Sequence, residues 1–218
     1  RVRHRDLSRP QILQAALDLI DARGLEGCTM QAVAGSLGVT AKALYRHVAD
    51  KDALLRGVAD LALSGAVLPD PSARWTDQLK QIGLELKRVL DAHPNVTPLC
   101  ARRASVFPGV IPIADSAIRA VSCASLPPET GIRFGHAITN YTLGFCLDAA
   151  DHALNVAEEG LEDPFEDVEL HLVPHAAQQA AFLREFANYG GYASPEQYLF
   201  GLDLMVAGFE AWARDHTA

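Results

Sequence analysis

Between Thr29 and Val48 a glycine divides two short helical segments, and this arrangement restricts the local fold more than any other feature of the sequence. MQAVAGSLG follows Thr29 and AKALYRHV follows Thr40, so each segment begins after a residue type that caps helices. Gly38 can adopt the positive φ that a tight turn between them requires. The pattern predicts a helix-turn-helix, whose second helix can lie in the major groove of DNA.

Helical signals also dominate the rest of the chain. Ser8 and Pro10 open a helix that Gly24 is placed to end, and Asp50 caps a longer fourth helix. The proline-containing stretch 67–73 predicts a linker. No segment shows sustained β alternation, so we predict an all-α fold. Further helices are expected at about 74–92, 109–124, 128–157, 175–188 and 195–215, with an acidic loop at 158–174.

Charge is divided unevenly along the 218 residues, which carry a net charge of -8. Residues 1–56 hold nine Lys and Arg against six Asp and Glu, a balance of +3, whereas residues 57–218 hold ten against twenty-one, a balance of -11. We therefore predict two domains, 1–56 for DNA binding and 57–218 for a different task, because only the first can attract phosphate. No apolar run is long enough to span a bilayer, and the four cysteines are widely spaced, so we expect a cytoplasmic protein with reduced thiols.

The third helical segment carries groups suited to DNA on its outer side. Lys42 and the Thr40 hydroxyl can reach base edges or phosphate, and the Ala41 methyl can contact a thymine methyl. Tyr45 and His47 can donate to phosphate. Lys51 stands at the start of the fourth helix, where free N–H groups favour an anion. A solvated helical face is the better explanation for any one of these residues alone, but for the whole set the coincidence of spacing, caps and charge favours DNA binding.

The stretch TMQAVAGSLGVTAKALYRHVADKDALL resembles the DNA-binding domain of the tetracycline-repressor (TetR) family, which shares the pattern LGV…LYxHVxxKxxLL. The resemblance implies an N-terminal three-helix helix-turn-helix domain and a larger helical ligand-binding and dimerisation domain. It implies a double-stranded DNA operator as partner, with added contacts from the basic arm Arg1 to Arg9. Base contacts are expected from Gln31, Thr40, Ala41 and Lys42, and phosphate contacts from Thr29, Tyr45, His47 and Lys51.

Two segments near the end of the chain, YTLGFCLDAA and YLFGLDLMVAGFEAW, are apolar nearly all round and contain small residues that permit close approach of helices. Such helices are buried on every side, either in a deep core or in a four-helix interface across a two-fold axis. We favour the interface and predict a homodimer. The surrounding sequence also resembles the ligand domain of the tetracycline repressor's own subclass.

That resemblance implies a small-molecule pocket whose occupation moves the fourth helix and releases a repressor from a palindromic operator. The positions of the metal-binding His and Glu fall on Cys100 and Asp148, and that of a drug-contacting His falls on Val67. A thiol does not suit magnesium, so we expect no cofactor or metal and a more apolar effector. The candidate pocket residues are Leu86, Leu90, Cys100, Arg103, Phe107, Ile113, Ile118, His136, Asn140, Thr142 and Phe145.

Two other function classes remain as alternatives. An enzyme could use Asp148 and His152, an i, i+4 pair that could bind a metal, but two ligands do not make a site. The sequence contains no glycine-rich phosphate loop, no GxSxG and no HExxH, so we predict that the protein is not an enzyme. A helical scaffold that binds proteins without DNA is the other alternative, and a DNA-binding assay separates it from a regulator.

Overall fold

Every regular element in the computed structural model is helical within residues 7–103, 108–159 and 194–216, which are the residues that the structure describes. The predicted all-α fold is therefore confirmed. The predicted loop beyond residue 159 and the predicted helix at 175–188 lie outside the described residues. The helices are α1 (Arg9–Gly27), α2 (Met30–Ser36), α3 (Ala41–Leu44), α4 (Lys51–Leu63), α5 (Trp75–Ala92), α6 (Thr97–Arg103), α7 (Ile111–Ser122), α8 (Pro128–Glu159) and α9 (Pro195–His216), with 3₁₀ turns at Pro94–Val96 and Pro108–Val110.

Side-chain caps fix the starts of three helices in the N-terminal part, as predicted. Ser8 and Gln11 form a capping box at α1. Thr29 accepts the Ala32 N–H at 3.1 Å at the start of α2, and Asp50 accepts the Ala53 N–H at the start of α4. Because these hydrogen bonds depend only on residues three apart in the chain, the sequence alone locates them.

Helix α3 is shorter than the sequence predicted. It covers only Ala41–Leu44, and Thr40 stands at its start without forming a side-chain cap. Beyond Leu44 the chain continues in tight turns, in which the His47 N–H donates to the Leu44 carbonyl at 2.8 Å. The Thr40 hydroxyl is therefore not engaged by its own helix.

Gly24 interrupts α1 where the sequence predicted the helix to end. Its φ of 68° and ψ of 177° are not helical, and a further turn continues to Gly27. This backbone region is almost restricted to glycine, because a Cβ would crowd the neighbouring carbonyl oxygens. The regular part of α1 therefore ends at Arg23, and the chain changes direction before α2.

A helix that the sequence did not predict, α6, follows the 3₁₀ turn Pro94–Val96 directly. It is only seven residues long, so it completes fewer than two turns and gives too few positions for helical periodicity to show. Val96 and Cys100 are buried in the main apolar cluster. Tertiary packing, rather than local sequence, therefore establishes this helix.

Among the described residues, two apolar clusters form the core. The first joins α1–α4 to α5, α6 and α8, and includes Ile20, Leu63, Leu90 and Cys100. The second joins α5, α7, α8 and α9. The predicted domain boundary between residues 56 and 57 falls inside α4, so the two predicted domains share that helix. None of the described helices is long and apolar enough to cross a membrane.

Replacing Gly24 with alanine should lower the free energy of unfolding by about 1–3 kcal/mol, because alanine must adopt a backbone conformation that only glycine tolerates well. Nothing lies within 4 Å of the added Cβ, so the effect isolates the backbone conformation. Gly35→Ala is the matched control, since Gly35 is also uncrowded but lies inside α2, where alanine is favoured by about 0.5–1 kcal/mol. Urea denaturation at fixed protein concentration measures the free energy of unfolding of both variants. An equal change of the same sign in both would contradict the assignment of Gly24 to a backbone conformation that requires glycine.

Candidate functional site

The residues predicted to contact DNA are accessible on the helix-turn-helix. We call them the reading surface. Tyr45 is 52% exposed. None of the eight is buried: Thr29, Gln31, Thr40, Lys42, Tyr45 and Lys51 are exposed, and Ala41 and His47 are half-buried.

Apolar contacts beneath the reading surface hold α2 and α3 in a fixed relation. Val33, Leu44 and Val48 are buried in the first apolar cluster, as the sequence predicted. Gly38 has a φ of 67°, and the Val39 N–H donates to the Ala34 carbonyl at 3.0 Å, which closes the turn. The surface is therefore presented by a packed scaffold.

The start of α4 differs in detail from the predicted anion site. The Asp50 carboxylate already accepts a backbone N–H there, so the helix start carries its own negative charge. Lys51 is the exposed cation at this point. Its charge also acts on the Cys28 thiol, whose pKa is raised by burial and partly lowered again by Lys51. Any phosphate would be bound mainly by the ammonium group, because the capping carboxylate repels an anion.

A small cavity of about 20 Å³ lies between the helices of the larger part of the chain. We call it the central cavity. A space of this size holds about one water molecule. Thr139 carries the one hydroxyl among the described lining residues, and this hydroxyl already donates to the Gly135 carbonyl at 2.8 Å. The cavity is lined by Leu63 of α4, Leu86 of α5, Cys100 of α6, Val110, Ile113 of α7, and Thr139 and Leu143 of α8.

Three of the predicted pocket residues, Leu86, Cys100 and Ile113, line this cavity. Burial raises the pKa of the Cys100 thiol to about 12, so the free side chain is a neutral thiol near neutral pH. Within the described residues, no three His, Cys, Asp or Glu side chains are grouped to hold a metal ion. Asp148 is exposed on α8, and the His152 side chain lies outside the described residues.

Thr142 and Phe145 are buried on α8, the helix that also supplies two residues of the cavity wall, but they belong to an aromatic and polar cluster. The Thr142 hydroxyl lies 2.9 Å from the Tyr198 hydroxyl, which donates to the Gly83 carbonyl at 2.7 Å. Phe145 packs edge-on against Tyr198 with ring centroids 5.2 Å apart. These residues tie α9 to α5 and α8, and do not line the cavity.

The remaining predicted pocket residues are scattered. Leu90 is buried in the first apolar cluster and Ile118 is half-buried on α7. His136 and Asn140 lie on the exposed side of α8, with His136 Nε2 2.9 Å from Asn140 Nδ2. The Arg103 side chain and Phe107 lie outside the described residues.

Four residues that line the cavity were missed from the sequence: Leu63, Val110, Thr139 and Leu143. They come from three separate elements, and each fits its local pattern as an ordinary core residue. Only Leu63 carried a signal, since it continues the apolar spacing of α4 toward the second predicted domain.

An exposed apolar stripe runs along α9. Phe200 and Leu204 are 60% and 58% exposed, and Gly208 and Trp212 continue the same four-residue spacing. Helix α9 packs antiparallel on α8, since Phe134 stacks on Phe209 while Tyr141 stacks on Tyr198. Large apolar groups aligned in this way mark an interaction surface.

Two family profiles match the chain. "Bacterial regulatory proteins, tetR family" matches residues 12–58, and "Tetracyclin repressor-like, C-terminal domain" matches residues 68–213. The chain belongs to the TetR family. It is a helix-turn-helix transcriptional regulator, and this family acts as dimers. The resemblance inferred from LGVTAKALYRHV is thus confirmed.

Relatives of this TetR-family chain match almost its whole length. An HTH-type transcriptional regulator of Saccharopolyspora erythraea is 30% identical over 95% of this chain and 86% of its own. The class E tetracycline repressor protein of Escherichia coli is 27% identical over 94% and 92%. Among solved structures, Streptomyces coelicolor ActR in complex with actinorhodin has a TM-score of 0.75, 23% identity and coverage of 94% and 96%. BioQ with its double-stranded DNA operator has a TM-score of 0.67, 24% identity and coverage of 94% and 99%.

Thr97 opens α6 near the central cavity, and its fully buried hydroxyl has no hydrogen-bond partner among the described residues. Thr97→Val should therefore raise the free energy of unfolding by about 1 kcal/mol, because it removes an unsatisfied polar group at nearly constant shape. Thr142→Val is the matched control and should lower it by about 1 kcal/mol, because the Thr142 hydroxyl is bonded to Tyr198. Urea titration at fixed concentration measures both, and a loss of stability in both variants would contradict the assignment.

Proposed function

We propose that this TetR-family regulator is a repressor that binds a palindromic operator as a homodimer and is released by a small, largely apolar effector. The observation that carries the proposal is that all eight predicted DNA contacts are accessible on a buttressed helix-turn-helix. The operator complex of BioQ and the actinorhodin complex of ActR, both with this fold, support the two halves of the proposal.

Recognition of the operator sequence is assigned to the start of α2 and to α3 with its preceding residue. Gln31, Thr40, Ala41 and Lys42 contact bases, and the unengaged Thr40 hydroxyl supports that role. Phosphate contacts come from the rim of the reading surface. They are supplied by Thr29, Tyr45, His47 and Lys51.

The effector site is assigned to the central cavity and its surroundings. Its lining is almost entirely apolar, which favours an effector with little charge. At about 20 Å³ it is far smaller than the sites of drug-sized molecules, which occupy roughly 300–1,000 Å³. An effector must therefore displace the walls. The proposed site thus requires a conformational change on binding.

A displacement of the cavity walls is transmitted to the reading surface by α4. Leu63, at the end of that helix, is itself part of the cavity wall. The neighbouring wall residue Val110 belongs to a 3₁₀ turn whose Gly109 N–H donates to the Asp60 carboxylate of α4. A Cβ on Gly109 would lie 2.8 Å from the Asp60 carbonyl oxygen, so this turn sits directly on α4. The cavity and the fourth helix can therefore move together, which gives the effector its differential affinity for two states.

The contact with the partner copy is assigned to the α9 stripe and to the neighbouring exposed side of α8. His136 and Asn140 lie on that side of α8, so an interface there would compete with their predicted role in effector binding.

A regulator of this kind acts in the cytoplasm and returns its effector chemically unchanged. Incubation with candidate effectors, followed by mass analysis, tests the second point, and turnover would favour an enzyme.

Lys51→Ala should weaken DNA binding about equally on all sequences and reduce the slope of log affinity against log salt by about one, because one phosphate contact is lost. Lys42→Ala should instead alter sequence preference, with about 1–3 kcal/mol of discrimination lost at one base pair. Lys80→Ala is the control for loss of a cation, since Lys80 pairs with Asp203 away from the reading surface. Fluorescence anisotropy on an operator selected from the chain's own upstream DNA measures all three. No binding by the wild-type protein at low salt would favour the scaffold alternative.

Leu204→Glu should convert the dimer to a monomer at micromolar concentration, because it places an uncompensated charge in an apolar interface. Ile111→Glu is the matched control, since Ile111 is 66% exposed on α7 and lies off the stripe. Sedimentation equilibrium gives the oligomeric state of both. If the Leu204→Glu protein is still a dimer, the α9 stripe is not part of the interface. If the wild-type protein is a monomer, the proposed homodimer is wrong.

A further inference from the structure

The end of α1 is held by side chains from the larger part of the chain. Asn95, in the 3₁₀ turn between α5 and α6, donates its side-chain amide to the carbonyls of Ile20 at 3.0 Å and Asp21 at 3.3 Å. His93 Nδ1 lies 2.8 Å from the Asp21 carboxylate. We call these contacts of Asn95 and His93 with α1 the α1 clamp.

The clamp acts at the point where α1 can change direction. Ile20 and Asp21 are among the last four residues before the break at Gly24, where a helix leaves carbonyls without intrahelical partners. Asn95 therefore supplies a cap from a distant part of the chain, 74 and 75 positions away. Because α2 begins only a few residues later, the clamp sets the direction in which α2 and α3 leave α1.

The same short segment also reaches the central cavity. The 3₁₀ turn that carries Asn95 runs directly into α6, and Cys100 of α6 is part of the cavity wall. Val96, between them, is fully buried in the same apolar cluster as Ile20. One packed element thus touches the cavity at one end and α1 at the other, in addition to the connection through α4.

We propose that Asn95, assisted by His93, is a positioning residue for DNA recognition: by holding the end of α1 it fixes the angle of each reading surface, and so the half-site spacing that the dimer accepts. The inference rests on the proposed function. Neither residue touches DNA in this role. Loss of the clamp should therefore change the tolerance for spacing without changing the number of phosphate contacts.

The test uses the full-length chain and a palindromic site that the wild-type protein selects from a random library. Binding is measured on that site and on versions lengthened or shortened by one or two base pairs. Wild-type protein should lose about tenfold or more in affinity when the spacing changes, because each added base pair moves and rotates one half-site. Asn95→Ala should reduce that penalty by about threefold or more and leave the salt slope unchanged, because no cation is removed.

Gln81→Ala is the matched control, since Gln81 is an exposed amide on α5 and is not part of the α1 clamp. Asp21→Asn and His93→Gln change the clamp more mildly and should alter the spacing preference in the same direction as Asn95→Ala. They replace Asn95→Ala in the test if that variant fails to fold. Hydrogen exchange of the amides in residues 20–28 provides a readout without DNA, and exchange there should accelerate in Asn95→Ala but not in Gln81→Ala.

The outcomes separate the two proposals. If the wild-type protein selects no sequence, the proposed function fails, and the role of Asn95 in DNA recognition fails with it. If the wild-type protein selects a spaced palindrome but the clamp variants keep its spacing preference within about twofold, only this inference is overturned. Accelerated exchange at the end of α1 with unchanged spacing preference also overturns it, since the clamp would then stabilise α1 without positioning the reading surface.

Discussion

Helix α4 packs into the first apolar cluster, which is shared by the DNA-reading part and the larger part of the chain, and the rest of the architecture depends on that packing. Leu54 and Val58 of α4 are fully buried, and Gly57 lies so close to α1 that a Cβ would meet Leu13 at 2.6 Å. At the far end of α4, Leu63 lies in the wall of the central cavity. Because interiors are close-packed and deform little, a change at one end of this helix must be accommodated at the other.

The helix-turn-helix and the cavity are thus joined by two routes rather than by a flexible linker. One is α4 itself, and the other is α6 with the turn that carries Asn95. The second apolar cluster and the aromatic contacts of Phe134 and Tyr198 hold α8 and α9 together behind these routes. A rigid support of this kind is what a regulator needs if small displacements at a pocket are to change the geometry of a distant surface.

Features that depend on neighbours in the sequence could be predicted, and features that depend on convergence in space could not. The caps at Ser8, Thr29 and Asp50 and the turn at Gly38 follow from residues a few positions apart. The exposure of the reading surface was predictable for the same reason, since its residues lie on one short motif, whereas their contacts with DNA stay a prediction. The cavity was predictable only in part, because Val110, Thr139 and Leu143 carry no local signal that they meet, and helix α6 is too short for its periodicity to be seen.

Hydrogen exchange in the presence and absence of operator DNA tests the central claim most directly, because coupling between two sites is reciprocal and requires no knowledge of the effector. Saturating DNA should alter exchange not only in α2 and α3 but also at the end of α4 and in α6, around the central cavity. The last turn of α7, which supplies no residue to the reading surface or to the cavity wall, should be unaffected. Changes confined to the helix-turn-helix would contradict the account, since they would show that the reading surface binds DNA without involving the core it shares with the cavity.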